Sequence, residues 1–111
     1  KDNLFTGAYL AHSYFDNGNF TGTDFSGAVL HHSTFFRSNF NNASFSNSNL
    51  KGAAFSGSDL TGTDFTGANI DKVVWWDPVY GQYYQWNPTI CPDGTSAEEN
   101  GNSCAKNLLY K

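Results

Sequence analysis

Large apolar residues recur in this chain at every fifth position. The series runs Phe5, Leu10, Phe15, Phe20, Phe25, Leu30, Phe35, Phe40, Phe45, Leu50, Phe55, Leu60, Phe65, Ile70, Trp75, fifteen positions without an exception. Two residues before each stands a small one: from Ala8 to Val73 these positions hold only Ala, Ser, Gly, Thr and Val, and only Asn3 departs. A period of five matches neither the alternation of a strand nor the 3.6-residue repeat of a helix. It fits a chain that turns a corner every five residues and points one large and one small residue of each five inward. Four such sides close a square coil of twenty residues, so a second period must appear, and it does. At twenty-residue spacing the columns are Phe5, Phe25, Phe45, Phe65; Leu10, Leu30, Leu50, Ile70; Phe15, Phe35, Phe55, Trp75; and Phe20, Phe40, Leu60. Like side chains stand over like, as they must if successive coils stack at the inter-strand spacing of about 4.8 Å. A fixed internal period of this kind takes precedence over local propensity in predicting a fold.

The units GAVL, ASF, SDL, TDF and GANI within this comb resemble the pentapeptide-repeat family, whose pattern is roughly A-(D/N)-L-x-x. The resemblance covers residues 1–75 and implies an all-β, right-handed quadrilateral parallel β-helix. Its central large residue and the small residue two before it face inward, and the other three face outward. Residues 1–75 then form a solenoid of about 3.75 coils at twenty residues each, and 76–111 form a second, C-terminal unit. The glycines at Gly7, Gly22, Gly27, Gly52, Gly57, Gly62 and Gly67 serve the corners, where a positive φ is cheap only for Gly or Asn. They are not phosphate cradles.

After Trp75 the comb stops. Residues 76–111 carry three prolines and, with Trp75, a dense aromatic set that includes Trp76, Tyr80, Tyr83, Tyr84 and Trp86. This composition predicts a short irregular or helical cap over the last coil, whose core and strand edge must be covered. A sugar-binding aromatic platform is the competing reading. Cys91 and Cys104, the two cysteines of the chain, flank CPDGTSAEENGNSC, in which Pro-Asp-Gly signals a turn and Ser96 with Glu99 a helical capping box ended by Gly101. Two cysteines alone in a short polar segment read as a disulfide, contributing about 3 kcal/mol by loop closure. The metal alternatives are weaker. Two thiols without a nearby histidine pair fall short of four zinc ligands, and Asp93, Glu98 and Glu99 lack EF-hand spacing. The Cys-Pro-Asp-Gly-Thr…Cys segment is also similar to the disulfide-closed tails of small cyanobacterial and other bacterial family members. A disulfide implies an oxidising compartment: periplasm, cell exterior or thylakoid lumen.

Composition narrows the function. The chain has 111 residues, enough for one domain, and its ten Phe, six Tyr and three Trp with 14% charged residues argue against disorder. No apolar run approaches eighteen residues, so no membrane-spanning helix is expected. Lys1 opens directly into repeat sequence, as in a mature or trimmed chain. Net charge is −4, shared between both parts, so direct nucleic-acid binding is disfavoured. Each coil buries about four large residues, worth roughly 1.5–3 kcal/mol apiece before entropy is subtracted, and leaves no interior cavity. Function must therefore sit on the outer faces or the ends.

Outward positions supply the candidates. His12 and His32 share one outward column beside His31; stacked imidazoles could share a metal, yet no carboxylate or third ligand stacks with them and His32 is followed by Gly52. The ladder Thr6, Ser26, Ser46, Thr66 resembles a water-ordering hydroxyl rank, but its partner rank Leu4, Asp24, Ser44, Asp64 is charged. Asn19-Phe20-Thr21 and Asn42-Ala43-Ser44 match the glycosylation triplet by chance in an Asn-rich chain. No nucleophile motif, phosphate loop or paired carboxylates emerge, so no catalytic residue, cofactor or enzyme activity is expected. Phe36 and Trp76 each follow a central residue and should lie outside the core on the third side, making it the most apolar face and the candidate interaction surface. The expected function is a non-enzymatic structural or protein-interaction module outside the cytoplasm, monomeric or dimeric end to end, with an unidentified protein partner. The resemblance also implies an alternative, a DNA mimic that modulates DNA gyrase. That role requires a long acidic rod, whereas the repeat region here carries a net charge of −2.

Overall fold

The structure, a computed structural model, describes residues 4–74 and 91–93 together with the backbone of residues 76, 77, 82 and 83. Over 4–74 the chain winds into a four-sided parallel β-helix. Eleven parallel bridges tie the coils, each joining residues twenty apart, from Leu4–Asp24 and Tyr9–Val29 to Asn49–Asn69 and Ala54–Val74. The sides are too short for extended strands: one bridge residue precedes each central residue, and a turn follows it. Around each bridge the amides alternate. Phe25 N–H donates to Ser44 C=O on the next coil (2.7 Å), and Val29 N–H donates to Ala8 C=O on the previous one (2.8 Å).

Most corners are tight turns closed by the small inward residue, whose N–H donates to the carbonyl of the large residue three before it, as in Ala28 to Phe25 (3.0 Å) and Ala53 to Leu50 (2.9 Å); the amides of Ser13, Gly18 and Ser38 donate instead to a serine hydroxyl on the next coil. The second turn residue has positive φ at every corner from Gly7 to Lys72, as a type II turn demands. Glycine fills seven of these positions and Asn17, Asn42 and Asn47 three more, as the sequence leads one to expect. The remaining four hold His12 (62°), His32 (60°), Arg37 (52°) and Lys72 (60°). Left-handed backbone costs such residues about 1–2 kcal/mol each, a strain the repeat imposes and the sequence does not relieve.

The interior is a solid stack of rings. Phe25 lies 4.9 Å from Phe45 at 3°, Phe35 lies 4.9 Å from Phe55 at 9°, and Phe20 lies 5.2 Å from Phe40 at 12°. Columns meet edge to face, as in Phe45 against Phe55 (5.4 Å, 80°). Phe25, Leu30, Phe35, Phe40, Phe45, Leu50, Phe55, Leu60 and Phe65 are fully buried. Phe5, Leu10, Phe15 and Phe20 pack against this core but are only partly buried, because the first coil has a neighbour on one side only among the described residues.

The small inward residues do more than fill corners. The Ser38 hydroxyl donates to Phe15 C=O (2.9 Å) on the coil before and accepts from Gly18 N–H (3.0 Å). Ser33 does the same with Leu10 C=O (2.8 Å) and Ser13 N–H (3.1 Å). Backbone groups that the ladder leaves over are thus satisfied by hydroxyls one coil away. Two threonines in one column separate this effect from burial. Both are fully buried, but Thr63 Oγ1 donates to Phe40 C=O (2.8 Å) whereas Thr23 Oγ1 has no partner among the described residues. Thr63→Val should lower stability by about 1 kcal/mol, and Thr23→Val should be neutral or raise it by up to about 1 kcal/mol. Urea denaturation of the two variants checks this; equal losses would show that the hydroxyl bond is not what the column needs.

Beyond Val74 the structure describes two short strands. β1 (Trp76–Asp77) and β2 (Gln82–Tyr83) pair antiparallel, Trp76 opposite Tyr83 and Asp77 opposite Gln82. Pro78 and Gly81 lie between them, and aromatic residues favour extended backbone. Residues 91–93 return to the solenoid. Cys91 is fully buried in the core, and Gly67 N–H donates to Pro92 C=O (2.8 Å) just as Asn47 N–H donates to Thr66 C=O (2.8 Å) one coil earlier. Cys91-Pro92-Asp93 therefore adds a corner in register with Phe65-Thr66-Gly67. Trp75, Tyr80, Tyr84, Trp86, Cys104 and the helical turn expected at 96–101 lie outside the described residues.

Candidate interaction surface

With rings at van der Waals spacing filling the interior, chemistry is confined to the outward columns. The first side is self-satisfied. Asp24 Oδ1 accepts from Ser26 Oγ (2.5 Å) and Ser26 N–H (2.8 Å), and Ser26 Oγ also meets Ser44 Oγ (3.2 Å) and Ser46 Oγ (3.1 Å). Asp64 likewise accepts from Thr66 Oγ1 (2.6 Å) and N–H (2.8 Å). The Ser26 hydroxyl and amide, helped by the Thr6 hydroxyl, hold the Asp24 carboxyl below its ordinary range against a smaller opposing effect of burial. Ser26 and Thr66 thus direct their hydroxyls to neighbouring carboxylates, which is not the arrangement of a water-ordering rank. The fourth side repeats the device: Asp59 accepts from Thr61 Oγ1 (2.7 Å), and Asn39 accepts from Asn41 N–H (2.8 Å).

The third side differs. Its bridge column reads Tyr14, Thr34, Ala54, Val74, without an Asp or Asn to cap the next turn. Tyr14 is 81% and Val74 48% exposed, while Ala54 is buried between its larger neighbours. Phe36 lies outside the core, half-buried; its N–H donates to Asp16 Oδ1 (3.0 Å), which also accepts from Thr34 Oγ1 (2.9 Å). Ser56, next in the Phe36 column, is buried. The twenty-residue period puts Trp76 after Ser56; its backbone begins β1 and its side chain lies outside the described residues. Tyr14 and Val74 were not singled out from the sequence, although the lack of Asx residues in their column is the signal that distinguishes it from the first and fourth.

The corner after the second side gathers the histidines. His12 and His32 stack at 5.3 Å and 19°, and His31 meets them edge-on at 5.4 Å and 5.8 Å. Tyr9 closes on His31 at 6.3 Å. His31 Nδ1 is buried without a hydrogen-bond partner among the described residues. The stacked rings turn faces rather than lone pairs to one another, and the described residues include no group able to hold a metal ion. Among the described residues no cysteine is free, and no helix is long and apolar enough to cross a membrane.

The sequence profile of the pentapeptide repeat region matches residues 5–77. None of the curated proteins compared matches the chain. Among solved structures the chain is similar to HetL, a pentapeptide repeat protein involved in heterocyst differentiation regulation from the cyanobacterium Nostoc sp. strain PCC 7120. Identity is 21% over 84% of this chain and 53% of that one, with a TM-score of 0.47. It is also similar to the pentapeptide repeat protein Rfr23 from the cyanobacterium Cyanothece 51142 (26% identity, 68% of this chain and 55% of that one, TM-score 0.44). A third is alr5209, a pentapeptide repeat protein from Nostoc PCC 7120 (17% identity, 89% and 82%, TM-score 0.44). The chain spans about half the length of the first two. The profile match over most of the chain, with the five-residue comb and the twenty-residue ladder, places this protein in the pentapeptide repeat family, whose members fold as right-handed quadrilateral β-helices.

Proposed function

We propose that the chain is a non-enzymatic interaction module that works outside the cytoplasm and docks a protein partner on its third side. The observation that carries this is the contrast between sides. The bridge columns of the first and fourth sides carry Asp or Asn residues that bond the next turn, while that of the third has no Asp or Asn and exposes both Tyr14 and Val74, with Asp16 bonding only Thr34 and the Phe36 amide beside them; Leu4 and Tyr9 are the exposed apolar residues of the first and second sides. Apolar exposure of this kind marks docking surfaces. The solid interior supports a role without a bound substrate. The extracytoplasmic part rests on a Cys91–Cys104 disulfide, which burial of Cys91 and the absence of a free cysteine among the described residues support. That bond would pin the C-terminal segment over Phe65 as a cap.

The alternative as a DNA mimic acting on gyrase is less well supported. Mimicry needs carboxylates ranked along one face. Here Asp24 and Asp64 lie in the first bridge column, Asp59 in the fourth, and Asp16 and Asp71 at two different corners. The test uses Phe36→Ser and Trp76→Ser in the whole chain as bait against the periplasmic or secreted fraction of the source cells. Wild type should retain a protein partner that the double variant loses by at least about ten-fold, with the circular dichroism of the bait unchanged and gyrase supercoiling unaffected. Undiminished retention by the double variant removes the third side as the docking face. Two free thiols in protein recovered from its native compartment overturn the localisation.

A further inference from the structure

We propose that the corner after the second side is a basic ridge that docks an acidic segment of a protein partner and grips it more tightly as pH falls. Its columns read Ala11, His31, Lys51, Asp71 and His12, His32, Gly52, Lys72. All three histidines of the chain and two of the three Lys and Arg residues in 4–74 stand on this one corner of an acidic protein. Asp71 is the single carboxylate among them; the other described carboxylates of the solenoid belong to other sides and corners.

His12, His32 and Lys72 occupy left-handed positions at 62°, 60° and 60°, a strain that Arg37 shares at another corner at 52°. What sets this corner apart from a solvated face is the packing of its imidazoles. They touch one another and Tyr9, with centroids 5.3–5.8 Å apart among the three, and among the described residues no carboxylate is bonded to any of them. The His32 ring lies across Gly52, where any Cβ would come within 2.5 Å of it. Asp71 stands two coils from His31 in its column, with Lys51 between.

Histidine as a class gains charge between pH 8 and 5. With its imidazoles neutral the ridge carries one net positive charge, and with all three protonated it would carry four, on rings close enough to repel. A carboxylate ligand offsets that repulsion, so ligand and protons bind together, each favouring the other by the same factor. The ridge is two residues wide and runs along the solenoid axis. A line of charge fits an extended acidic chain better than the plane of a bilayer.

The probe is a fluorescein-labelled poly-glutamate peptide of about ten residues, whose carboxylates stay largely ionised at pH 5.5. Fluorescence anisotropy with the whole chain at fixed, low ionic strength should show binding at least about ten-fold tighter at pH 5.5 than at 7.5. Lys51→Glu should weaken it about ten-fold at both pH values. His12→Gly with His32→Gly, which suits the turn and so preserves the fold, should reduce the pH dependence to about three-fold or less. Phe36→Ser should change nothing, which keeps the outcome separate from docking on the third side. An unaltered pH dependence in the histidine double variant overturns the proposal, because the effect would then be one of overall charge. Tighter binding to phosphatidylserine vesicles than to the peptide overturns the choice of a protein partner.

Discussion

Phe45→Ala is expected to destabilise the protein by about 3–5 kcal/mol. Phe45 is fully buried and sandwiched, with Phe25 at 4.9 Å and 3° on one face and Phe65 at 5.4 Å and 7° on the other. Phe35, Phe40 and Phe55 close its edges at 5.3–5.9 Å. The coils cannot close on the space left behind, because the ladder holds their spacing: Phe25 N–H is bonded to Ser44 C=O and Phe45 N–H to Asp64 C=O, both at 2.7 Å. A cavity that cannot collapse keeps the full penalty, against a total stability of roughly 5–15 kcal/mol for ordinary domains. Phe5→Ala is the control. That ring is only partly buried and stacks on one side alone, at 5.1 Å from Phe25, so about half the loss or less is expected. Urea unfolding followed by near-UV circular dichroism measures both. A loss below about 1 kcal/mol for Phe45→Ala would mean that the ring column is not what holds the coils together.

Gly62→Val should cost about 3 kcal/mol, and Gly7→Ala about 1, although both glycines lie at nearly the same φ (74° and 69°). The difference is the neighbour. A Cβ at Gly62 would come within 2.3 Å of Asn42 Oδ1 and 3.3 Å of Asn42 N, whereas one at Gly7 meets nothing within 4 Å. Backbone strain acts at both sites; crowding and β-branching act only at the first. The reverse substitution has the opposite sign. Arg37→Gly relaxes a residue at 52° and should raise stability by about 0.5–1 kcal/mol, the strain relieved less the entropy of the freer unfolded chain. Thermal or urea midpoints of the three variants decide it. Equal losses for Gly62→Val and Gly7→Ala would leave strain alone as the cause, and a loss for Arg37→Gly would show that the Arg37 side chain contributes more than its backbone costs.

How far the sequence reaches follows from what a period can encode. The columns of Phe, Leu and Ser name the inward residues, because burial alone sorts those positions by size. The comb also gives the twenty-residue ladder. It does not tell that Ser33 and Ser38 reach back one coil to a carbonyl, since small size and a hydroxyl are equally compatible with filling a corner. Nor does it tell that His12, His32, Arg37 and Lys72 accept left-handed backbone, because the repeat overrides their preference. The place of Phe36 outside the core was legible, whereas the exposure of Tyr14 and Val74 was missed, because their column becomes meaningful only beside the Asx-capped columns of the first and fourth sides. Past Trp75 there is no period, so β1 and β2 and the return of Cys91 to the core had no signature beyond scattered turn residues.

That return fixes how this protein can change length. Every bridge in the solenoid joins residues twenty apart, so chain length there behaves as a phase. One residue more or fewer would rotate each later side chain out of its column, five would set Phe over Leu, and a whole coil alone keeps the phase. Between Phe65 and Cys91 the chain runs twenty-six residues and still lands in register, because Pro92 takes the acceptor place that Trp86 would hold in an unbroken repeat. The six surplus residues fall in the stretch that contains β1 and β2. Chain length can therefore vary in this stretch without dephasing any of the interior rings between Phe5 and Phe65.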